Sequence, residues 1–143
     1  MNALATPPRL VLDTNVLYAG LFSARGQSHQ LLRALFTGRL RLVLSTTLLF
    51  EYEDVLKRKQ KVLNLSHAEI ETVLDQLCAM ADFQTVYFLW RPCLPDPKDD
   101  MVLEVAVAAQ VPVIVTFNIR DFRPASRFGI NVITPGSLLE NLA

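Results

Sequence analysis

Short apolar runs alternate with helical patterns along this chain, and this alternation restricts the fold more than any other feature. The runs are short and rich in branched side chains, as expected of strands that are covered on both faces. Alternation of such runs with helices predicts βαβ units, and therefore an α/β fold with a parallel sheet and helices on both faces. The predicted strands are residues 9–12, 40–45, 85–90 and 111–116, with 131–134 as a candidate fifth strand.

Capping residues indicate where the helices begin. Ser66 and Glu69 have the spacing of a capping box, which predicts a helix from there to about Asp82. Asp96 followed by Pro97 predicts the N-cap and first residue of another helix, whose apolar residues on nearly every side indicate burial. The remaining predicted helices run from Ser28 to Gly38, from Ser45–Thr47 into the basic run 57–61, and over the closing residues 136–142.

Length and charge fit one domain over residues 1–143. A chain of 143 residues has the usual size of one domain, and its 14 basic residues balance 14 acidic ones. This balance gives no overall attraction to nucleic acid but is compatible with a local basic patch. Because no signal-peptide pattern and no apolar run of membrane-spanning length is visible, we expect a cytoplasmic protein. Cys78 and Cys93 are isolated, which predicts core thiols in a reducing compartment.

Polar side chains follow each of the first four predicted strands. Because the carboxyl ends of parallel strands meet at one edge of the sheet, where ligands bind, we expect these side chains to lie near one crevice. Asp13, Thr14 and Asn15 follow the first strand, and Ser45, Thr46 and then Glu51 follow the second. Asp96, Asp99 and Asp100 follow the third, and Thr116 and Asn118 follow the fourth.

A cluster of carboxylates without cysteine or histidine favours a hard divalent cation. Oxygen ligands suit Mg²⁺ or Mn²⁺ rather than zinc, and neighbouring carboxylates repel each other unless a cation neutralises them. Such a cation activates water for attack on a phosphate ester. The sequence has no Walker-type glycine loop. These observations favour metal-assisted phosphodiester hydrolysis.

Several of these acids also have structural explanations. Glu51 and Glu53 flank the apolar face of their helix on opposite sides, so periodicity does not choose between them. Asp96 is well explained as a helix cap, and Asp99 or Asp100 would each stabilise the first helical turn. Two adjacent acids beside a third nevertheless exceed what capping requires, which keeps at least one of them in the predicted site.

Four motifs, in this order and at this spacing, resemble the PIN domain. They are "VLDTNVL", "LSTTLLFEYEDVL", "DPKDDMVLEVAVAAQVPVIVTFN" and the following "RDF". More narrowly, they are similar to the branch that contains toxin components of toxin–antitoxin systems. The resemblance implies a three-layer α/β/α sandwich around a parallel sheet of four or five strands, with Mg²⁺- or Mn²⁺-dependent ribonuclease activity.

The resemblance also implies roles for individual residues. Asp13 matches the first acid, Asn15 its hydrogen-bonding neighbour, and Glu51 the second acid. The third acid is either Asp99 or Asp100, depending on whether one counts from "DP" or back from "VT". Asn118 stands where the family often has a fourth acid, and Asp121 is a candidate substitute. Thr116 is expected to support a metal-binding carboxylate. All are catalytic, metal-binding or supporting candidates.

An RNA substrate requires positive charge near the acids. The candidates are Arg25, Arg120, Arg123 and Arg127 in loops, and Lys57, Arg58, Lys59 and Lys61 as a second patch. A cognate antitoxin and a homodimer are implied by the resemblance alone.

Two other functions remain open: a metal-dependent phosphatase acting on small molecules, and a non-catalytic PIN-like module that binds RNA or protein. The phosphatase would ordinarily need a second Asp where Asn15 stands.

Overall fold

The computed structural model describes residues 6–87 and 94–142. Five strands form a parallel sheet in the order β3-β2-β1-β4-β5, and helices flank it in a three-layer α/β/α arrangement. The strands are β1 Arg9–Leu12, β2 Arg41–Leu44, β3 Asp82–Phe83, β4 Val113–Val115 and β5 Asn131–Ile133. The helices are α1 Thr14–Phe22, α2 Gln27–Phe36, α3 Thr46–Arg58, α4 Gln60–Leu63, α5 His67–Met80, α6 Asp100–Ala108 and α7 Pro135–Leu142, and a 3-10 helix spans Arg123–Phe128.

The central position of β1 determines where a site can form. The chain passes from β1 to β2 on one side and later returns to β4 on the other side, so the direction of winding changes at β1. Leu12, the last residue of β1, pairs with Val115, the last residue of β4. The residues that follow these two strands therefore meet in one crevice.

Most of the predicted elements are present. The apolar strand β1 is buried as expected, and Ser45 caps α3 by accepting a hydrogen bond from the Leu48 N–H. The capping box of Ser66 and Glu69 is formed in both directions. The fifth strand is confirmed, and α6 is buried along most of its length. No helix within residues 6–87 and 94–142 is long and apolar enough to cross a bilayer.

The third strand was predicted at the wrong place. It is the two-residue β3, pairing with β2 through Val43 and Leu44, whereas residues 85–87 are not in a strand. Residues 88–90 and Cys93 lie outside the described residues. A strand at the edge of a sheet has one neighbour only, so its apolar pattern specifies its position weakly. Cys78, expected in the core, is only half-buried on α5.

Two helix starts also differ from the prediction. Asp96 does not cap a helix: its carboxylate accepts the Lys98 N–H at 3.0 Å and its carbonyl accepts the Asp99 N–H, which forms a turn before α6. The helix expected from Ser28 begins at Gln27, and α1 was not predicted. The pattern of α1 was missed because its buried residues make it apolar on more than one side.

Gly20 allows α1 and α2 to pack closely. A Cβ atom at this position would lie 2.5 Å from Leu32 Cδ1 and 3.0 Å from the Ser28 carbonyl oxygen. Leu32 is itself buried, so its side chain has little room to move. Gly20→Val is therefore expected to lower the free energy of unfolding by about 1–3 kcal/mol through overpacking. Urea denaturation measures it, with Ala19→Val as the control for helix propensity. Equal losses in both variants would contradict the packing argument.

Candidate active site

Asp13 is held at the carboxyl end of the central strand. It directly follows β1 and is 5% exposed. Its N–H donates to the Val115 carbonyl at 2.9 Å, and the Thr116 hydroxyl donates to its Oδ2 at 2.7 Å. Thr116 is completely buried. The pairing of β1 with β4 thus brings Thr116 against Asp13, and the hydrogen bond expected of Thr116 is present.

Burial raises the pKa of Asp13 above its ordinary value, against the hydrogen bonds from Thr116 and the Thr14 backbone, which lower it. The negative charge of Asp96 raises this pKa further. A buried carboxylate of this kind is stabilised when a cation binds it. The environment of Asp13 therefore favours either a proton or a metal ion at this position.

Asp99 lies among the other carboxyl groups of the crevice. Its pKa is raised to about 7, first by burial and then by the charges of Asp13, Asp96, Asp121 and Asp100, in that order. Asp99 precedes α6 as its N-cap residue, but its side chain does not cap the helix. The half-buried carboxyl of Asp99 therefore lies within electrostatic range of Asp13 and of the other acids near the crevice.

Asp100 occupies a different environment from its neighbour. It is 1% exposed, and its Oδ1 accepts the Leu94 N–H at 3.0 Å. This hydrogen bond joins the first turn of α6 to the segment that precedes it. A buried carboxylate that holds backbone in this way is expected to contribute to folding.

Glu51 lies in α3, partly buried, one residue before Tyr52. Tyr52 is completely buried, and its hydroxyl donates to the Leu12 carbonyl at 2.6 Å. Burial and the charge of Asp13 both raise the pKa of Tyr52 well above its ordinary value. This hydrogen bond attaches α3 to the end of β1, beside Asp13. Glu53, the alternative to Glu51, forms an ion pair with Lys57 at 3.1 Å.

Asn118 is connected to both Thr116 and Asp121. Its backbone N–H donates to the Thr116 hydroxyl at 2.9 Å, and its side-chain amide donates to Asp121 Oδ2 at 2.7 Å. Asp121 in turn raises the pKa of Asp99. The amide therefore orients an acid close to Asp99, while Asn15 lies exposed in the first turn of α1.

The acids are close enough to interact electrostatically but do not form a closed cage. Within residues 6–87 and 94–142, no three His, Cys, Asp or Glu side chains lie near enough to one another to share one cation. The donors are all carboxylate oxygens, which fits Mg²⁺ or Mn²⁺ chemically.

The two predicted basic patches differ in how many of their charges form ion pairs within the protein. Lys57 pairs with Glu53 and Glu71, and Arg58 pairs with Asp54, so these two charges are largely neutralised. The candidates that are exposed and are not in these ion pairs are Arg25, Lys59, Lys61, Arg120, Arg123 and Arg127. The second patch is therefore weaker than its sequence indicates.

Two residues, Tyr52 and Asp96, contribute to the surroundings of Asp13 in ways that were not predicted from the sequence. No role was predicted for Tyr52; a tyrosine in the apolar pattern of a helix needs a hydrogen-bond partner for its hydroxyl, and this is the signal that could have found it. Asp96 was interpreted as a cap, yet its charge acts on both Asp13 and Asp99. No local signal distinguishes a turn-forming acid from one near a site.

Comparison of the sequence with models of known protein families shows which family the chain belongs to. The model of the PIN domain matches residues 9–120, which is most of the chain and includes β1, β2, α3, α6 and β4. The chain belongs to the PIN domain family. PIN domains typically are metal-dependent nucleases, so nuclease-type activity on nucleic acid is the general expectation for this PIN domain. No curated protein matches the chain significantly.

The raised pKa of Asp99 predicts how stability depends on pH without metal. The folded state keeps the Asp99 proton up to a pKa of about 7, whereas the ordinary value is 3.8. Between these values the folded state binds more protons than the unfolded chain, so the free energy of unfolding is expected to fall as the pH rises through this range. Urea denaturation in EDTA across this range measures it.

Asp99→Asn is the matched control for this pH dependence. The variant has no proton to lose at this position, so its decline in stability should be smaller than that of the parent protein. Comparing the two proteins also removes the contribution of Asp82, whose pKa is lowered by the Arg41 hydrogen bond and which acts in the opposite direction. The same decline in both would assign the effect to other groups.

Proposed function

We propose that this PIN domain is a Mg²⁺- or Mn²⁺-dependent endoribonuclease. The observation that carries the proposal is the buried Asp13 carboxylate, which Thr116 fixes at 2.7 Å where β1 and β4 end, with Asp99 within electrostatic range of it. Asp13 is buried there and oriented by Thr116, and the charge of Asp13 acts directly on Asp99. A stable fold keeps such repulsive acids together only at a cost, and binding a cation offsets this cost.

Asp13, Glu51 and Asp99 are the proposed metal ligands. Glu51 is preferred to Glu53 because Glu53 is paired with Lys57. Asp99 is preferred to Asp100 because the charge of Asp13 acts on Asp99 more strongly than that of any other acid. Asp121, oriented by Asn118, is the proposed replacement for a fourth acid.

When bound, the metal supplies a Lewis acid that lowers the pKa of water and offsets charge on the phosphate. The protein contributes orientation: the Thr116 hydroxyl fixes one oxygen of Asp13, leaving the other for the cation. Asn15, exposed beside Asp13 on α1, can donate its amide to a phosphate oxygen. Release of a 5′-phosphate product is part of the proposal, by analogy with the family.

A role as the toxin of a cytoplasmic toxin–antitoxin pair is the more specific proposal. It is supported by the similarity of the four motifs to that branch of PIN domains. The same similarity supports a cognate antitoxin and a homodimer as partners. Co-expression with the protein encoded beside it tests the role: relief of growth arrest supports it, and no growth arrest on expression contradicts it.

Cleavage of a mixed-sequence RNA tests the nuclease proposal. The purified protein is assayed with Mg²⁺, with Mn²⁺ and with EDTA, next to Asp99→Asn and Asp100→Ala. We expect metal-dependent cleavage that is lost in Asp99→Asn, which should be at least as stable as the parent because the charged form of Asp99 is disfavoured in the fold. Asp100→Ala should instead be less stable, because it leaves the Leu94 N–H without the carboxylate oxygen that accepts it.

Three outcomes would contradict the proposal. Cleavage that persists unchanged in EDTA excludes the metal mechanism. Hydrolysis of a small phosphomonoester without cleavage of RNA favours the phosphatase alternative. RNA binding without cleavage, unaffected by substitution of the acids, favours the non-catalytic alternative.

A further inference from the structure

One face of α1 runs from the candidate site to an exposed pair of aromatic rings. Asn15, Tyr18, Ala19 and Phe22 follow the i, i+3, i+4, i+7 spacing of one helix face, and each is at least partly exposed. We call these four residues the α1 stripe. Asn15 is two residues beyond Asp13, and Phe22 lies about 10 Å further along the helix axis. The α1 stripe is thus continuous with the crevice.

The aromatic rings of the α1 stripe are arranged for stacking. The ring centroids of Tyr18 and Phe22 are 5.9 Å apart and the ring planes differ by 20°. Tyr18 packs partly against the core, whereas 58% of the Phe22 surface is exposed. An exposed aromatic ring that lies nearly parallel to a second ring, which itself packs against the core, is a flat surface on which a planar base can stack.

Two cations are available to the α1 stripe. The ammonium of Lys59 lies 5.9 Å from the centre of the Tyr18 ring, and Arg25 is exposed three residues beyond Phe22. Residues 14–50, which include all of α1 and α2, contain no Asp or Glu. Neither helix therefore contributes an acid that would repel the phosphates of a nucleic acid, and Lys59 and Arg25 can attract them.

We propose that the α1 stripe binds single-stranded nucleic acid, with a base stacked on the exposed Phe22 ring and the flanking phosphates contacted by Lys59 and Arg25. In a duplex the faces of the bases are stacked on each other, so only an unpaired strand can use this surface. The inference rests on the proposed nuclease function, for which it names the residues of α1 that would position the strand beside the cleaved bond.

Binding is measured separately from cleavage. The Asp13→Asn variant in EDTA is titrated against fluorescein-labelled oligouridylate, and Phe22→Ala, Phe22→Leu and Phe22→Trp are introduced into it. We expect Phe22→Ala to weaken binding by about 5-fold or more, the scale of one base–aromatic stack. Phe22→Leu should weaken binding similarly because it keeps apolar area without an aromatic face, and Phe22→Trp should preserve it.

Two controls test the specificity of this effect. Phe36→Ala removes an exposed phenylalanine on α2 that is outside the α1 stripe, and binding should not change. Lys59→Gln should weaken binding and reduce its salt dependence by about one counterion. Duplex RNA should bind without sensitivity to Phe22→Ala. Oligodeoxythymidylate tests whether unpaired DNA bases bind as unpaired RNA bases do. Binding of both polymers supports one stacking surface for both.

The outcomes separate this inference from the nuclease proposal. If the parent protein cleaves RNA but Phe22→Ala and Phe22→Leu bind as tightly as the background variant, the stacking surface is wrong and the nuclease stands. If binding is lost as expected but no condition gives cleavage, the surface stands and the nuclease is wrong. If Phe22→Ala instead converts a dimer to a monomer, the α1 stripe is a protein interface and the inference is overturned.

Discussion

Asp13→Asn is expected to reduce RNA cleavage at least about 100-fold while the protein remains folded. Loss of a residue that merely supports a metal ligand typically costs 10–100-fold, so loss of a proposed ligand should cost more. The amide has nearly the same shape as the carboxyl and can still accept the Thr116 hydroxyl. The variant therefore removes the charge that holds a cation and leaves the packing at the end of β1 intact.

The stability of Asp13→Asn is the second half of this prediction. Burial raises the pKa of Asp13, which means that its charged form is disfavoured in the folded protein. Without metal at neutral pH, the variant should therefore be at least as stable as the parent. The pKa of Asp99 should also move down toward its ordinary value, because Asp13 is the first of the charges that raise it.

Cleavage rates, thermal unfolding and metal titration together check this prediction. Asp54→Asn is the matched control, since Asp54 is an exposed acid on α3 that pairs with Arg58 away from the crevice. Cleavage by this control should equal that of the parent. Equal cleavage by Asp13→Asn would indicate a contaminating nuclease and remove Asp13 from the mechanism. A strongly destabilised Asp13→Asn would indicate a structural carboxylate instead.

Tyr52→Ala is expected to produce the largest loss of stability, about 3–5 kcal/mol in the free energy of unfolding. Tyr52 is one of the largest completely buried side chains, and its removal leaves a cavity between α3 and the sheet. Tyr52→Phe keeps the ring but leaves the Leu12 carbonyl without the hydroxyl that donates to it at 2.6 Å. That change should cost about 1–3 kcal/mol.

Tyr52→Phe also tests whether this hydrogen bond supports the site. Because it attaches α3 to the residue before Asp13, its loss should weaken binding of Mn²⁺ as well as stability. Tyr87→Phe is the control, since Tyr87 is 83% exposed and should lose little stability. Urea denaturation and Mn²⁺ titration measure the two effects. Stability equal to the control would contradict the argument, and lost stability with unchanged Mn²⁺ binding would restrict Tyr52 to folding.

The sequence by itself determined those features that depend on neighbours in the chain. The buried run before Asp13 predicted β1, and the spacing of Ser66 and Glu69 predicted the start of α5. A strand pattern, a cap and a parallel βαβ order are each decided within a few residues. The expectation that Asp13, Asp99 and Thr116 share one crevice followed from that order, since parallel strands end at one edge.

Only the tertiary structure decided the surroundings of residues that the sequence does not distinguish. Asp99 and Asp100 are adjacent and chemically identical, yet one lies among the acids of the crevice and the other holds the Leu94 N–H. The place of β3 and the contact of Tyr52 with Leu12 likewise join segments about 40 residues apart. Burial and charge at a side chain are summed over atoms that are distant in the chain. For that reason a local sequence pattern does not determine the burial of a side chain or the charge around it, whereas the packed fold does.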